Sequence, residues 1–314
     1  MVFFPESGQM LIQSSIPIQS LDHPLLALKN IEVAIMRLDL IHPGVSGNKF
    51  FKLKYNLEQA RLEGKDTLLT FGGAYSNHIF ATAEAAITEG FQSIGIIRGE
   101  RTDPLNPTLA HVESLGMKLH FVDRETYRKK NRSGFINELK DLFGDFYLIP
   151  EGGTNELAIK GTREIIGKDE SQFSHFAVSI GTGGTFAGLA ASIFTTQTLI
   201  GISSLKGEFI HSEMDKLLSD HQILSEGNYE INSEYHFGGY GKYTQELVEF
   251  IREFYENFGI ALDPIYTGKM AFGIWDLIKK DVFVPQSKIL IIHTGGLQGN
   301  IGFAERTGIK LQGS

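Results

Sequence analysis

The sequence predicts an α/β protein with mainly parallel sheets and helices on both faces. Three observations carry that expectation: short apolar or β-branched runs recur along the 314 residues, helically spaced segments separate most of them, and glycine-rich loops follow several of them directly. Buried parallel strands read as unbroken apolar runs, and their crossovers are usually helices. Ligands in such sheets sit beyond the carboxyl ends of the strands, so the loops after strands are where chemistry is expected.

The strand-like runs fall at 31–40, 67–71, 93–97, 118–122, 146–149, 176–180, 198–202 and 288–292. Phe50, Leu53, Leu57 and Ala60 form one helical stripe, and Leu247, Phe250, Ile251 and Phe254 form another. An alanine-rich helix from Ala81 to Ala86 follows the second run, and a helix through Phe186, Leu189 and Ala190 follows the sixth. The length suits one large unit or two coupled ones. No linker rich in Pro, Gly or Ser divides the chain, and it holds no internal repeat. Two domains would therefore be interleaved, with a smaller one at 49–156 inserted into a larger one made of 1–48 and 157–314.

Apolar residues at 42% and charged residues at 21% are ordinary for a globular chain. A net charge of -8 argues against nucleic acid as a partner. The short basic patch Arg128-Lys129-Lys130 with Arg132, on an expected helix, reads as solvated surface. Cysteine is absent, which removes disulfides, thiolate nucleophiles and cysteine-ligated metals, and no other metal-ligand spacing stands out. Residues 1–15 lack the basic start and long apolar run of a signal peptide. No stretch reaches the roughly 20 apolar residues of a membrane-spanning helix. The expectation is a cytoplasmic protein with a small-molecule partner and no membrane association.

Glycines gather in loops: Ser46-Gly47-Asn48-Lys49, Gly72-Gly73-Ala74-Tyr75-Ser76-Asn77-His78, Gly181-Thr182-Gly183-Gly184-Thr185, Gly238-Gly239-Tyr240-Gly241 and His293-Thr294-Gly295-Gly296. Glycine lets the backbone approach a ligand closely, so several such loops suggest a cofactor held largely by main chain. The third loop follows a strand and opens a helix, where amides favour a phosphate and Thr182 and Thr185 add hydroxyls. A dinucleotide fingerprint is broken, because Phe186 stands at its last glycine and Leu199-Ile200-Gly201-Ile202 replaces its acidic residue. A Walker A loop is excluded by Leu189 after Gly188. A single cofactor phosphate fits better, with an ordinary glycine turn as the plain alternative.

Lys49 falls in the first turn of a helix, where the dipole disfavours a cation. A lysine that sheds its charge easily can form a Schiff base, and Lys52 one turn on is placed to neutralise a phosphate. On spacing alone a solvated surface lysine is the favoured reading, and the glycine loops together with the resemblance below reverse it. Ser76 begins a helix and is either an N-cap or a substrate ligand, with the amides of Ser76, Asn77 and His78 placed to meet a carboxylate. His78 is either a ligand or base, or a structural histidine. Neither a Ser-His-Asp order nor Gly-x-Ser-x-Gly is present.

Taken in order, these loops with Lys52-Leu53 and Asp263-Pro264-Ile265-Tyr266-Thr267-Gly268-Lys269 resemble the ACC deaminase/D-cysteine desulfhydrase family, where ACC is 1-aminocyclopropane-1-carboxylate. The resemblance runs from about Ile31 to Gly296. It implies a fold-type-II pyridoxal-phosphate enzyme, tryptophan-synthase-β-like, with two three-layer αβα domains and the active site in the cleft between them. Lys49 would be the Schiff-base lysine, and Lys52, Thr182, Gly183, Gly184 and Thr185 would hold the phosphate of pyridoxal 5'-phosphate. Asn77 would contact the cofactor's phenolic oxygen. Ser76, with Asn77 and His78, would hold the substrate carboxylate, and Tyr240 and Tyr266 would line the substrate side as nucleophile, base or orienting groups. Thr267 and Thr294 would sit near the pyridine nitrogen, and the family's members are dimers or larger, so a homodimer is implied.

The ACC deaminase pattern has Glu at the position of Thr267 and Leu at that of Thr294. A carboxylate keeps the ring nitrogen protonated and makes a strong electron sink, which suits opening a cyclopropane. A neutral hydroxyl gives a weaker sink, sufficient when a thiol leaves Cβ. Both threonines follow the desulfhydrase pattern, which favours α,β-elimination on D-cysteine. The rivals are ACC deamination, serine racemisation or dehydration through Ser76, and a non-catalytic protein that binds a phosphorylated metabolite. Two departures from the family stand out: Leu297-Gln298-Gly299-Asn300 instead of an Ala-Pro-Ala-like continuation, and Phe50-Phe51 instead of a Thr-Arg-like pair.

Overall fold

The computed structural model describes residues 16–312, so the N-terminal reading of residues 1–15 lies outside the described residues. Ten strands form two sheets: β1 Ile18–Leu21, β2 Glu32–Arg37, β3 Thr67–Gly73, β4 Gln92–Arg98, β5 Lys118–Val122, β6 Tyr147–Ile149, β7 His175–Ile180, β8 Thr198–Ser203, β9 Asn228–Asn232 and β10 Lys288–His293. The larger sheet has the order β1-β2-β10-β7-β8-β9, and the smaller one β5-β4-β3-β6. Every pairing is parallel except β1 with β2.

Each expected run lies on a strand, although 31–40 is strand only to Arg37 and then tightens into a 3-10 turn, Leu38–Leu40. The edge strands β1 and β9 were not expected. They are short and expose much of their length, as Ile-Gln-Ser-Leu and Asn-Tyr-Glu-Ile-Asn, so they lack the apolar run of a buried strand.

Both sheets carry packed helices on both faces. Leu69, Phe71, Ile94 and Ile96 of the small sheet meet Phe135 and Leu139 on one side. On the other, Ile97 meets Ile79, Ala83, Leu109 and Val112. On one face of the large sheet, Ile35, Ala177, Ile200 and Ile291 meet Leu247, Ile251, Phe254 and Ile274.

The remaining core spans both sheets. Phe50, Phe51, Leu53 and Leu57 of helix Asn48–Leu62 pack in one cluster with Leu68 and Ile149 of the small sheet and Phe176, Val178 and Leu290 of the large sheet. The helix bearing Lys49 is therefore wedged between the sheets. Phe50 and Phe51 are 1% and 0% exposed, so their departure from the family pattern repacks this core and does not face a ligand. The basic residues 128–132 follow the short helix Arg124–Tyr127 instead of lying on one. Among the described residues, no helix is long and apolar enough to cross a membrane, and no group of His, Asp and Glu has the arrangement of a metal site.

Candidate active site

A cavity of about 460 Å³ opens at the carboxyl ends of β3, β4, β7 and β10. Lys49, Lys52, Ser76, Asn77, His78, Thr182, Gly183, Thr185, Tyr240, Tyr266 and Thr294 all line it. Of the residues the sequence points to, Thr267 lies behind its wall and Gly184 sits at its edge, against Lys52. The chain folds these loops together because parallel strands deliver their carboxyl ends to one rim.

Gly47 is the N-cap of the Lys49 helix, with φ 69°. A Cβ there would sit 2.1 Å from the Thr294 carbonyl oxygen, so only glycine allows this approach. The amide of Asn48 donates to that same oxygen at 3.2 Å. Lys49 Nζ donates to Asn48 Oδ1 at 2.9 Å, while Asn48 Nδ2 reaches Thr185 Oγ1 at 2.7 Å. Burial lowers the Lys49 pKa to about 8, partly opposed by the Asp263 carboxylate. An amine in that range is neutral often enough to condense with an aldehyde.

Lys52 is 2% exposed. Its Nζ donates to Gly152 O at 2.8 Å, Thr154 Oγ1 at 3.1 Å and Thr182 Oγ1 at 3.3 Å, all neutral oxygens. Burial, and then the charge of Lys49, push its pKa well below the usual lysine value. A buried amine that faces only neutral acceptors is completed by an anion, which would restore its charge. Beside it, the amides of Gly183, Gly184 and Thr185 have no acceptor among the described residues. Gly184 itself is held close: a Cβ there would lie 3.1 Å from Lys52 Nζ and 2.9 Å from Thr154 Oγ1. The helix that follows, Gly184–Ala190, is short, so Lys52 and the loop contribute more than any dipole. These residues fit a phosphate.

Ser76 caps helix Asn77–Glu89, its Oγ accepting from the amides of His78 at 3.2 Å and Ile79 at 3.3 Å. The amide of Ser76 donates to Gly73 O at 3.0 Å. Of the three amides expected to meet a carboxylate, only that of Asn77 has no acceptor among the described residues. His78 is 2% exposed, and its Nε2 lies 2.8 Å from Thr70 Oγ1. Thr70 gives its own proton to Ile149 O at 2.8 Å, so His78 must be the donor and carries its proton on Nε2. Burial first, then the charges of Lys49 and Lys52, hold this imidazole well below its ordinary pKa. Its ring thus ties the helix to β3 in a neutral state.

Thr294 follows β10, and its Oγ1 lies 3.3 Å from Ser179 Oγ, a second hydroxyl on the cavity wall. Thr267 is fully buried instead. Its Oγ1 donates to Asp263 Oδ2 at 2.6 Å and accepts from the Asp263 amide at 2.8 Å. Asp263 also accepts from the amides of Ile265, Tyr266 and Thr267, which starts helix Thr267–Lys279 and leaves its carboxylate engaged on both oxygens.

Tyr240 is half exposed and meets Tyr266 edge to face, with ring centroids 6.0 Å apart. Burial, and then Tyr240, raise the Tyr266 phenol well above its ordinary pKa, so at neutral pH it holds its proton. The Tyr240 loop is anchored from behind by Lys269, whose Nζ donates to His236 O at 2.8 Å and Gly239 O at 2.9 Å.

The sequence reading missed Ser179, Arg98 and Glu151 on the cavity wall, and Lys269 behind it. Arg98 ends β4, Glu151 follows β6 and Ser179 lies within β7, so position at a strand's carboxyl end was the one signal that pointed to them. Glu151 receives the Tyr127 hydroxyl at 2.8 Å and pairs with Lys130 at 3.3 Å, which gives one residue of the basic patch a partner at the cavity mouth.

A buried amine near neutrality, a second buried amine awaiting an anion and a rim of main-chain amides define a pyridoxal-phosphate enzyme of parallel α/β architecture. Comparison with known proteins agrees. Residues 20–295 match the pyridoxal-phosphate dependent enzyme family. A Pyrococcus horikoshii protein, provisionally named a 1-aminocyclopropane-1-carboxylate deaminase, is 33% identical over 90% of this chain and 92% of its own. The Arabidopsis thaliana bifunctional D-cysteine desulfhydrase/1-aminocyclopropane-1-carboxylate deaminase is 30% identical over 85% of this chain and 73% of its own. A crystal structure described as an ACC deaminase homologue superposes with a TM-score of 0.81 at 31% identity, covering 95% of this chain and 94% of that one. The chain belongs to the ACC deaminase/D-cysteine desulfhydrase family of pyridoxal-phosphate enzymes.

Proposed function

We propose that this enzyme is a deaminating lyase that carries out α,β-elimination on a small D-amino acid, with D-cysteine the favoured substrate. Water is consumed, and pyruvate, ammonia and sulfide are released. One observation carries the choice of substrate: the groups facing the cavity beside Thr294 are hydroxyls, those of Thr294 and Ser179. The nearby Asp263 carboxylate is taken up by the cap of its own helix. A hydroxyl environment suits a reaction whose leaving group departs readily, as a thiol does.

Pyridoxal phosphate, when bound, supplies the electron sink that makes the substrate's Cα proton acidic. In this reading Lys52, Thr182, Gly183, Gly184 and Thr185 would hold the phosphate, and Thr294, with Thr267 behind the cavity wall, would belong to the ring-nitrogen side. The Asn77 side-chain NH2 would donate to the phenolic oxygen. The Ser76 hydroxyl and the Asn77 main-chain amide would receive the substrate carboxylate, in a turn fixed by His78. Lys49 would carry the cofactor, and its amine would accept the substrate's Cα proton. Tyr266, protonated at rest, gives a proton to the departing sulfur, and Tyr240 closes the substrate side. We further propose that 49–156 form the smaller unit, inserted into a larger one of 1–48 and 157–314, and that the enzyme is a homodimer.

Ring opening of ACC to 2-oxobutanoate and ammonia is the second reading, favoured by the names of the relatives. Assaying keto-acid release from D- and L-cysteine, D- and L-serine and ACC separates the two. Pyruvate and sulfide from D-cysteine are expected. Turnover of ACC alone would refute the argument from the hydroxyls.

A further inference from the structure

Gln298 stands in the C-terminal loop, where this chain departs from its family's pattern. Its side chain lies between two helices beside the small sheet. Gln298 Nε2 donates to Asn77 Oδ1, and Gln298 Oε1 accepts from Thr108 Oγ1 at 2.9 Å. Thr108 is 2% exposed, in helix Pro107–Ser114 beside the small sheet. Asn77 begins the neighbouring helix, whose Ile79 and Ala83 pack with Leu109 and Val112. Gln298 reaches both from the segment that follows β10 of the large sheet.

An asparagine amide has two nearly isosteric orientations, and the hydrogen bonds around it select one. Here Gln298 turns its Oε1 to the Thr108 hydroxyl and its Nε2 to Asn77. That donor meets Asn77 Oδ1, and the Asn77 Nδ2 hydrogens are left to point elsewhere. Nδ2 has no acceptor among the described residues, and Asn77 lines the cavity shared with Lys49. Gly296 leaves room for this orientation, since a Cβ there would lie 2.6 Å from Nδ2.

We propose that Gln298, itself set by Thr108, is a positioning residue that fixes the Asn77 side chain with its NH2 group toward the cofactor's phenolic oxygen. This inference rests on the pyridoxal-phosphate reading of the site. A hydrogen bond donated to that oxygen stabilises the negative charge left when the adjoining proton departs. It therefore lowers the pH at which the cofactor's visible band titrates. Without the relay, Asn77 is free to rotate and the midpoint rises.

The test is a pH titration of that band in the cofactor-loaded wild-type protein and in Gln298→Met, Thr108→Val and Asn77→Ala. Gln298→Met should raise the midpoint by about 1 pH unit, roughly 1.4 kcal/mol. Thr108→Val, which alters only the far end of the relay and guards against a misfolded Gln298 variant, should raise it by less. In the Asn77→Ala background, Gln298→Met should have no further effect, because the residue acts through Asn77. A wild-type protein with no visible band overturns the functional reading, and this inference with it. A wild-type band whose midpoint is unmoved in both single variants, or a Gln298→Met shift that persists without Asn77, overturns the relay alone.

Discussion

Two buried lysines, one on the cavity wall and one behind it, show how little a depressed pKa says by itself. Lys49 and Lys269 are both lowered to about 8, chiefly by burial, and both feel the Asp263 carboxylate. Lys49 Nζ has a single partner, the side-chain oxygen of its neighbour, and faces the cavity. Lys269 Nζ is turned away and gathers two carbonyls of the Tyr240 loop. The first amine is left available and the second is consumed in holding backbone. The source of an amine's acceptors, not its acidity, separates a reactive lysine from a structural one. Lys52 is intermediate: it has three acceptors, but all neutral and all beside the loop with unpaired amides.

Removing each amine tests that division. Lys49→Ala should abolish the visible band and lower turnover by on the order of 10³-fold while the fold is kept, read by absorbance and keto-acid release. An unchanged band would place the reactive amine elsewhere. Lys52→Met should retain the band at saturating cofactor but weaken cofactor binding about 100-fold, the worth of a lost charge-assisted contact, measured by equilibrium dialysis. Lys269→Met should leave cofactor affinity unchanged and cut kcat/KM about 30-fold by loosening Tyr240, with partial recovery in Lys269→Arg. If cofactor affinity fell instead, the two sides of the cavity would not be separable.

The smallest effect concerns pH. Only the neutral Lys49 amine condenses with an aldehyde, and its pKa is lowered to about 8. The rate of cofactor uptake by the apoprotein should rise about fivefold between pH 7 and pH 8 and level off above that, followed by stopped-flow absorbance. A lysine at its ordinary value would keep gaining tenfold per unit through the same range.

Much of this architecture was readable in advance, and the failures have physical causes. Strands buried on both faces announce themselves as apolar runs, and β3, β7 and β10 were located that way, each followed by its glycine loop. The edge strands β1 and β9 face solvent along part of their length and carry no such run. Lys49, Lys52 and Ser76 stood out because loop chemistry is local in sequence. Thr267 illustrates the opposite case: one residue from Tyr266, it nonetheless spends its hydroxyl on Asp263 behind the wall, and only the turn geometry reveals that. Ser179 and Arg98 have no motif around them, and Lys269, although it ends the Asp263 run, acts on the backbone of a loop about 30 residues away, so the roles of all three come from elements brought together by the fold.

The contact of Gly47 with the carbonyl of Thr294 bears on how the enzyme comes into being. The turn that presents Lys49 leans on backbone from almost the far end of the chain. During synthesis the helix and its lysine emerge long before their support, which stands about 245 residues further on. A polypeptide released before β10 would own the lysine without the poised amine, so competence to take up cofactor waits on the docking of β10.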